Sequence, residues 1–142
     1  MDVEFSNELQ WMVVRNRSSF LVKKKHVKMP FSTDPFNMKK LHVPRFCGSI
    51  QSKAVMVEPH PGKKGVNFIY KKKDVGNKPR QSLRVQSFTK HPRRTMTNIK
   101  SFFKKTGYRK DLRMLALRAA SKVYRCQRPI VPKKKAFKKK PE

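Results

Sequence analysis

Arg118, Lys122 and Arg125 recur at helical spacing on the side opposite Leu112, Leu115, Ala116, Ala119 and Val123. The chemistry such a pattern suits is the gripping of phosphate oxygens, because a guanidinium fork binds two oxygens at once and an ammonium group adds a mobile point charge. A basic helix face is ordinarily no more than a solvated surface. Here the cations are spread over the whole chain, which shifts the weight toward binding. The phosphate-binding candidates are Arg15, Arg17, Lys23, Lys24, Lys25, Lys39, Lys40, Lys71, Lys72, Lys73, Arg93, Arg94, Lys100, Lys104, Lys105, Arg109, Arg113, Arg118, Lys122, Arg125, Arg128, Lys133, Lys134, Lys135, Lys138, Lys139 and Lys140. Several lie at strand ends and in loops, where a small scaffold can bring many charges against one polyanion.

Other chemistry is poorly represented. His26, His42, His60 and His91 are scattered among lysines, and none is spaced to pair with a nucleophile or a carboxylate. "PGKKGV" (61–66) lacks the G-x-x-x-x-G-K-[ST] pattern of a phosphate loop. Cys47 and Cys126 stand far apart with no CxxC, so they read as two reduced thiols, and neither a metal site nor a disulfide is expected. No catalysis and no cofactor are expected. Phe31, Phe36, Phe46 and Tyr108 sit near basic residues and could stack on unpaired bases. Burial as core or anchor residues is the more economical reading for a small domain.

The 142 residues carry 37 Lys and Arg against eight Asp and Glu, for a net charge of +29. Three of the acids, Asp2, Glu4 and Glu8, form an acidic leader over residues 1–8. Residues 9–141 hold every cation and only four carboxylates, Asp34, Glu58, Asp74 and Asp111. Like-charge repulsion of this size opposes compaction unless a dense polyanion relieves it, and nucleic acid fits best because neutralised phosphates release counterions. The longest apolar run, "WMVV", is far short of the roughly 20 residues of a membrane span. The polar, acidic start does not resemble a secretory signal, so an intracellular protein is expected.

Residues 6–14 read as a helix capped by Ser6, with a strand through Trp11–Val14 as the competing reading. "SSFLVKKK" (18–25) reads as a strand. Residues 26–48, with Pro30, Pro35, Pro44 and Gly48, suggest an extended segment pinned by aromatic anchors. Residues 49–57 and 65–71 form a predicted β-hairpin, with Val66, Phe68 and Tyr70 on one face and residues 82–90 as a possible third strand. The period then becomes helical over 95–105, with Gly107 placed to end that helix, and Asp111 is a candidate N-cap for a second helix. The predicted fold is α+β: a small antiparallel sheet, a short N-terminal helix, two C-terminal helices and a basic extended tail. A single domain over 9–126 and a Pro/Lys tail over 127–142 complete the predicted organisation. The expected core joins Trp11, Val14, Phe20 and Val22 to Val66, Phe68 and Tyr70, with Leu112, Leu115 and Ala119 contributed by the last helix.

"LQWMVVRNRSSFLVKK" (9–24) closely resembles the N-terminal signature of the eukaryote-specific family of ribosomal protein twenty-eight of the large subunit. "VMVEP" (55–59), "KGV" (64–66), "YRKDLRMLALRAAS" (108–121), "QRP" (127–129) and a lysine-rich end follow in the family's order. The chain departs from the family at Lys110, where proline is usual, and over residues 26–47. The resemblance implies a non-catalytic structural protein of the cytosolic 60S subunit, assembled in the nucleolus. Its implied partners are large-subunit ribosomal RNA and neighbouring ribosomal proteins, with no membrane and no small-molecule substrate. The rivals are a chromatin or DNA-architectural protein, for which no helix-turn-helix is legible, and a cationic membrane binder, whose amphipathic helix is only partly matched.

Overall fold

Apolar residues at every second position of 66–70 set the architecture, because one face of that strand must be covered by something. In the computed structural model, which describes residues 6–62, 64–72 and 81–130, two helices cover it. The elements are α1 (Asn7–Val14), β1 (Leu21–Val22), β2 (Phe31–Ser32), β3 (Val55–Pro59), β4 (Val66–Lys71), β5 (Leu83–Phe88), α2 (Pro92–Thr106) and α3 (Arg113–Cys126). They form an α+β fold with one two-stranded and one three-stranded antiparallel sheet, the latter in the order β3–β4–β5. Lys73, Lys133, Lys134, Lys135, Lys138, Lys139 and Lys140, together with the start of the acidic leader and nearly all of the predicted basic tail, lie outside the described residues.

Register fixes which side chains share the covered face. Val57 and Gln86 flank Phe68, Val55 and Arg84 flank Tyr70, and Pro59 and Phe88 flank Val66. Val55, Val66 and Phe68 are completely buried against Ile99 and Phe103 of α2 and Ala116 and Ala120 of α3. Phe68 meets the rings of Phe102 and Phe103 edge-on at 5.1 and 6.0 Å. Each such side chain contributes roughly 1.5–3 kcal/mol on burial, and edge-on ring pairs add to that. The buried stripe of α3 runs through Leu112, Ala116 and Ala120, leaving Leu115 and Ala119 half-buried. Leu112 and Ala116 are buried as expected and Leu115 and Val123 pack against the core, but Ala120 rather than Ala119 seats the helix.

The caps explain where the helices start and stop. Ser6 Oγ accepts a hydrogen bond from Leu9 N at 3.3 Å and opens α1 as expected. α2 begins at Pro92, three residues before the predicted start, because proline at the first helical position lacks only an N–H that would have no partner there. Gly107 ends α2 at φ +60°, the left-handed conformation expected of it. Asp111 does not cap α3. A short 3₁₀ turn at Lys110–Leu112 precedes that helix, and the carboxylate is held by Arg45 and Arg109 instead. At the other end of the molecule, Gln127 grips Gly65 in the hairpin turn: its Oε1 accepts from Gly65 N at 3.1 Å and its Nε2 donates to Gly65 O at 2.8 Å. Gly65 adopts φ +114°, and a Cβ there would lie 2.6 Å from Phe88 O, so only glycine lets the strands approach.

The N-terminal unit departs from expectation. Trp11, Val14 and Val22 are half-buried and Phe20 is 37% exposed, and none of the four belongs to the hairpin core. The reason lies in the pairing of β1 with β2, Leu21 opposite Ser32 and Val22 opposite Phe31, which turns this unit toward residues 30–43. Trp11 packs on His42 with ring centroids 4.8 Å apart, and His42 Nε2 donates to Arg15 O at 2.9 Å. Residues 26–48 have little regular structure, as expected, but polar side chains pin them. Asp34 is buried and accepts from Phe36 N at 2.9 Å and Gly48 N at 2.7 Å, while buried Asn37 donates to Leu41 O at 2.6 Å.

Trp11→Ala is accordingly expected to abolish amide-exchange protection in α1 and around His42 while leaving β4 and α3 protected. Hydrogen exchange followed residue by residue checks this, and simultaneous loss over both regions would contradict the separation of the two units.

Candidate nucleic-acid interface

The C-terminal helices are held against the rest of the fold by polar contacts of Tyr108, Arg109 and Asp111. The Tyr108 hydroxyl donates to Ala54 O and Lys71 O, at 3.2 and 2.7 Å, from a buried position. Burial pushes the phenol up to about 12, with the Arg109 charge acting in the opposite direction. Arg109 then donates from Nη1 to Lys53 O at 3.0 Å and from Nη2 to Arg45 O at 2.8 Å and Asp111 Oδ2 at 3.0 Å. Arg45 Nε reaches the same carboxylate oxygen at 3.2 Å. Burial acts to raise the Asp111 pKa, but the hydrogen bonds and charges of Arg109 and Arg45 together outweigh it and hold the carboxyl below its ordinary range.

These contacts divide the candidate cations. Arg109 has only 15% of its side chain exposed and acts as an internal fastener. Lys71 is half-buried; it donates to Gly48 O and lies 5.5 Å from the centre of the Phe36 ring. Burial lowers its pKa, with Asp34 and Cys47 acting in the opposite direction. Lys40 donates to Asp34 O at 3.0 Å from an exposed position.

The remaining described candidates are exposed: Arg15, Arg17, Lys23, Lys24, Lys25, Lys39, Lys72, Arg93, Arg94, Lys100, Lys104, Lys105, Arg113, Arg118, Lys122, Arg125 and Arg128. Among the described residues the ion pairs are those of Asp111 with Arg45 and Arg109, so the exposed cations have no carboxylate partner there. Arg118, Lys122 and Arg125 lie together on the outer face of α3, and Arg113 is exposed at its start. Arg93, Lys100 and Lys104 continue the positive surface along α2. Sequence reasoning passed over Arg84, Lys90 and Lys110, all exposed. For Lys90 the signal was present, since it opens the run "KHPRR".

The aromatic side chains proposed for base stacking are otherwise engaged. Tyr108 is a brace. Phe31 lies under Lys24 at 5.9 Å and Phe46 under Lys39 at 5.3 Å, and both rings are half-buried. Cys47 is buried, Cys126 is exposed, and both are free thiols. Among the described residues no three His, Cys, Asp or Glu side chains cluster as metal ligands would, and no helix is long and apolar enough to cross a membrane.

A model of the Ribosomal L28e protein family matches residues 9–126. The chain is 30% identical over 122 residues to a Caenorhabditis elegans protein named large ribosomal subunit protein eL28, covering 86% of this chain and 90% of the relative. It is 32% identical over 127 residues to the Schizosaccharomyces pombe protein of that name, covering 87% and 94%. A Trypanosoma cruzi protein, also so named, is 36% identical over 77 residues, 53% of this chain and 49% of the relative.

Tyr108→Phe should cost about 1–3 kcal/mol at neutral pH, because the Lys71 carbonyl loses a buried donor. A phenol whose pKa is raised by folding stabilises the native state fully below its unfolded value of 10.0 and loses that contribution as the pH climbs through about 12. The stability gap between the wild type and the variant should therefore narrow from pH 10 toward pH 12, as measured by denaturant titration at stepped pH.

Proposed function

The chain belongs to the Ribosomal L28e protein family, and on that premise we propose that it is a structural constituent of the cytosolic large ribosomal subunit, binding and stabilising folded ribosomal RNA. The observation that carries the reading is the match of the family model across residues 9–126, the stretch that holds nearly all of the described fold. The charge distribution supports the RNA half of it. Cations from α2, α3 and the β1 end face outward without carboxylates to neutralise them, which leaves phosphate as their natural counterion.

On this reading the hairpin core and the Tyr108–Arg109–Asp111 brace act as a rigid carrier. Arg118, Lys122 and Arg125 present a stiff row of donors to backbone phosphates, an arrangement that positions the protein without selecting a sequence. Lys23, Lys24 and Lys25, together with the lysines of residues 133–140, extend the contact from the two ends of the chain. The role is structural and non-catalytic. Its setting is the cytoplasmic ribosome after nucleolar assembly, beside other large-subunit proteins.

Sedimentation of cell extract through a sucrose gradient tests the assignment: the protein should migrate with the large subunit and shift to the top after ribonuclease treatment. Absence from that peak in untreated extract would remove the assignment. Contacts with about ten phosphates predict that log K for purified large-subunit RNA falls with log salt at a slope of about −7 to −9. A slope near −2 in a filter-binding series would mean that the exposed cations are not the binding surface.

A further inference from the structure

An open groove runs between edge strand β5 and helix α2, made of two joined cavities of about 510 and 300 Å³ that share Ser87, Phe88 and Asn98. Each is within the roughly 300–1,000 Å³ of small-ligand sites. Its composition differs from that of the phosphate-gripping face of α3. Phe88 and Phe102 form an aromatic floor, both half-buried, with Phe102 held from behind by Tyr70 and Phe68 at 4.8 and 5.1 Å. Gln86 and Asn98 place side-chain amides at the two walls, and Ser101 adds a hydroxyl.

Helical spacing puts Arg94, Asn98, Phe102 and Lys105 on one stripe of α2, so the two cations stand about 16 Å apart along the axis with the amide and the ring between them. Lys90 joins Arg94 at the same end. No carboxylate lines either cavity.

Resting on the RNA-binding reading above, we propose that this groove holds a short unpaired RNA segment, one base of which stacks on the Phe88–Phe102 floor, with phosphates of the segment on Lys105 at one end and on Arg94 and Lys90 at the other. The chemistry selects such a ligand on three counts. A ring floor rewards a flat π-face of any base. A primary amide offers both donors and an acceptor, the complement of an unpaired base edge. In a duplex those edges are already paired and the faces already stacked, so only a bulged, looped or terminal nucleotide can enter. The β5–α2 groove is thereby equipped to distinguish unpaired from paired RNA.

The test uses the full-length chain and two Asn98 and Lys105 variants, Asn98→Leu and Lys105→Gln, both changes being at exposed positions of α2. The probes are short fluorescent oligo-uridine strands carrying A, C, G or U at the centre, and a blunt RNA duplex with the same number of phosphates. Anisotropy is read at raised salt, where counterion release contributes least. Asn98→Leu is expected to weaken binding of at least one single strand about tenfold while leaving the duplex unchanged, and Lys105→Gln to weaken single strands more than the duplex. Single strands that bind both variants as tightly as the wild type would overturn the groove and leave the RNA reading standing. A wild-type chain that binds neither probe would overturn both.

Discussion

Scarcity of negative charge is the constraint under which this protein is built. Only four carboxylates accompany 37 cations through residues 9–141, and two of them are committed to holding the chain together. Asp34 lies buried and organises its loop by accepting backbone N–H groups at Phe36 and Gly48. Asp111 gathers Arg45 and Arg109 and so joins segments 66 positions apart. Internal order and external positive potential are thus linked, since two of the few acids that could neutralise the shell are engaged in fastening the chain.

The same scarcity explains why carbonyl oxygens take so large a part in fixing cations and polar groups. Arg109 reaches the carbonyls of Lys53 and Arg45, Lys71 that of Gly48, Lys40 that of Asp34, and Tyr108 those of Ala54 and Lys71. A carbonyl holds a cation without cancelling its charge. The fold can therefore fasten its irregular segments and keep its net positive charge.

Much of the fold was legible because local patterns encode it. The alternation of Val66, Phe68 and Tyr70, the Ser6 cap and the left-handed Gly107 each depend on a few neighbouring residues. Pairings over long separations were not legible in this way. An apolar patch around Trp11 announces burial but does not say against what, and His42, carried 31 positions away, is the answer. Asp111 has the chemistry of a cap, yet two guanidinium groups compete for it more strongly than backbone N–H groups do. At the candidate interface, the basic row of α3 could be read from spacing alone. The β5–α2 groove could not, because Gln86, Asn98 and Ser101 are unremarkable polar residues until strand and helix are set side by side.

The grip of Gln127 on Gly65 ties the hairpin tip to the point where the chain departs from α3. A primary amide answers the glycine peptide with one donor and one acceptor, a pairing that neither a carboxylate nor an ammonium group can reproduce. The end of α3 is thereby anchored to the hairpin loop more than sixty residues upstream. Lengthening or shortening that loop would displace the end of α3, so loop length in the hairpin and the seating of the last helix are free to change only together.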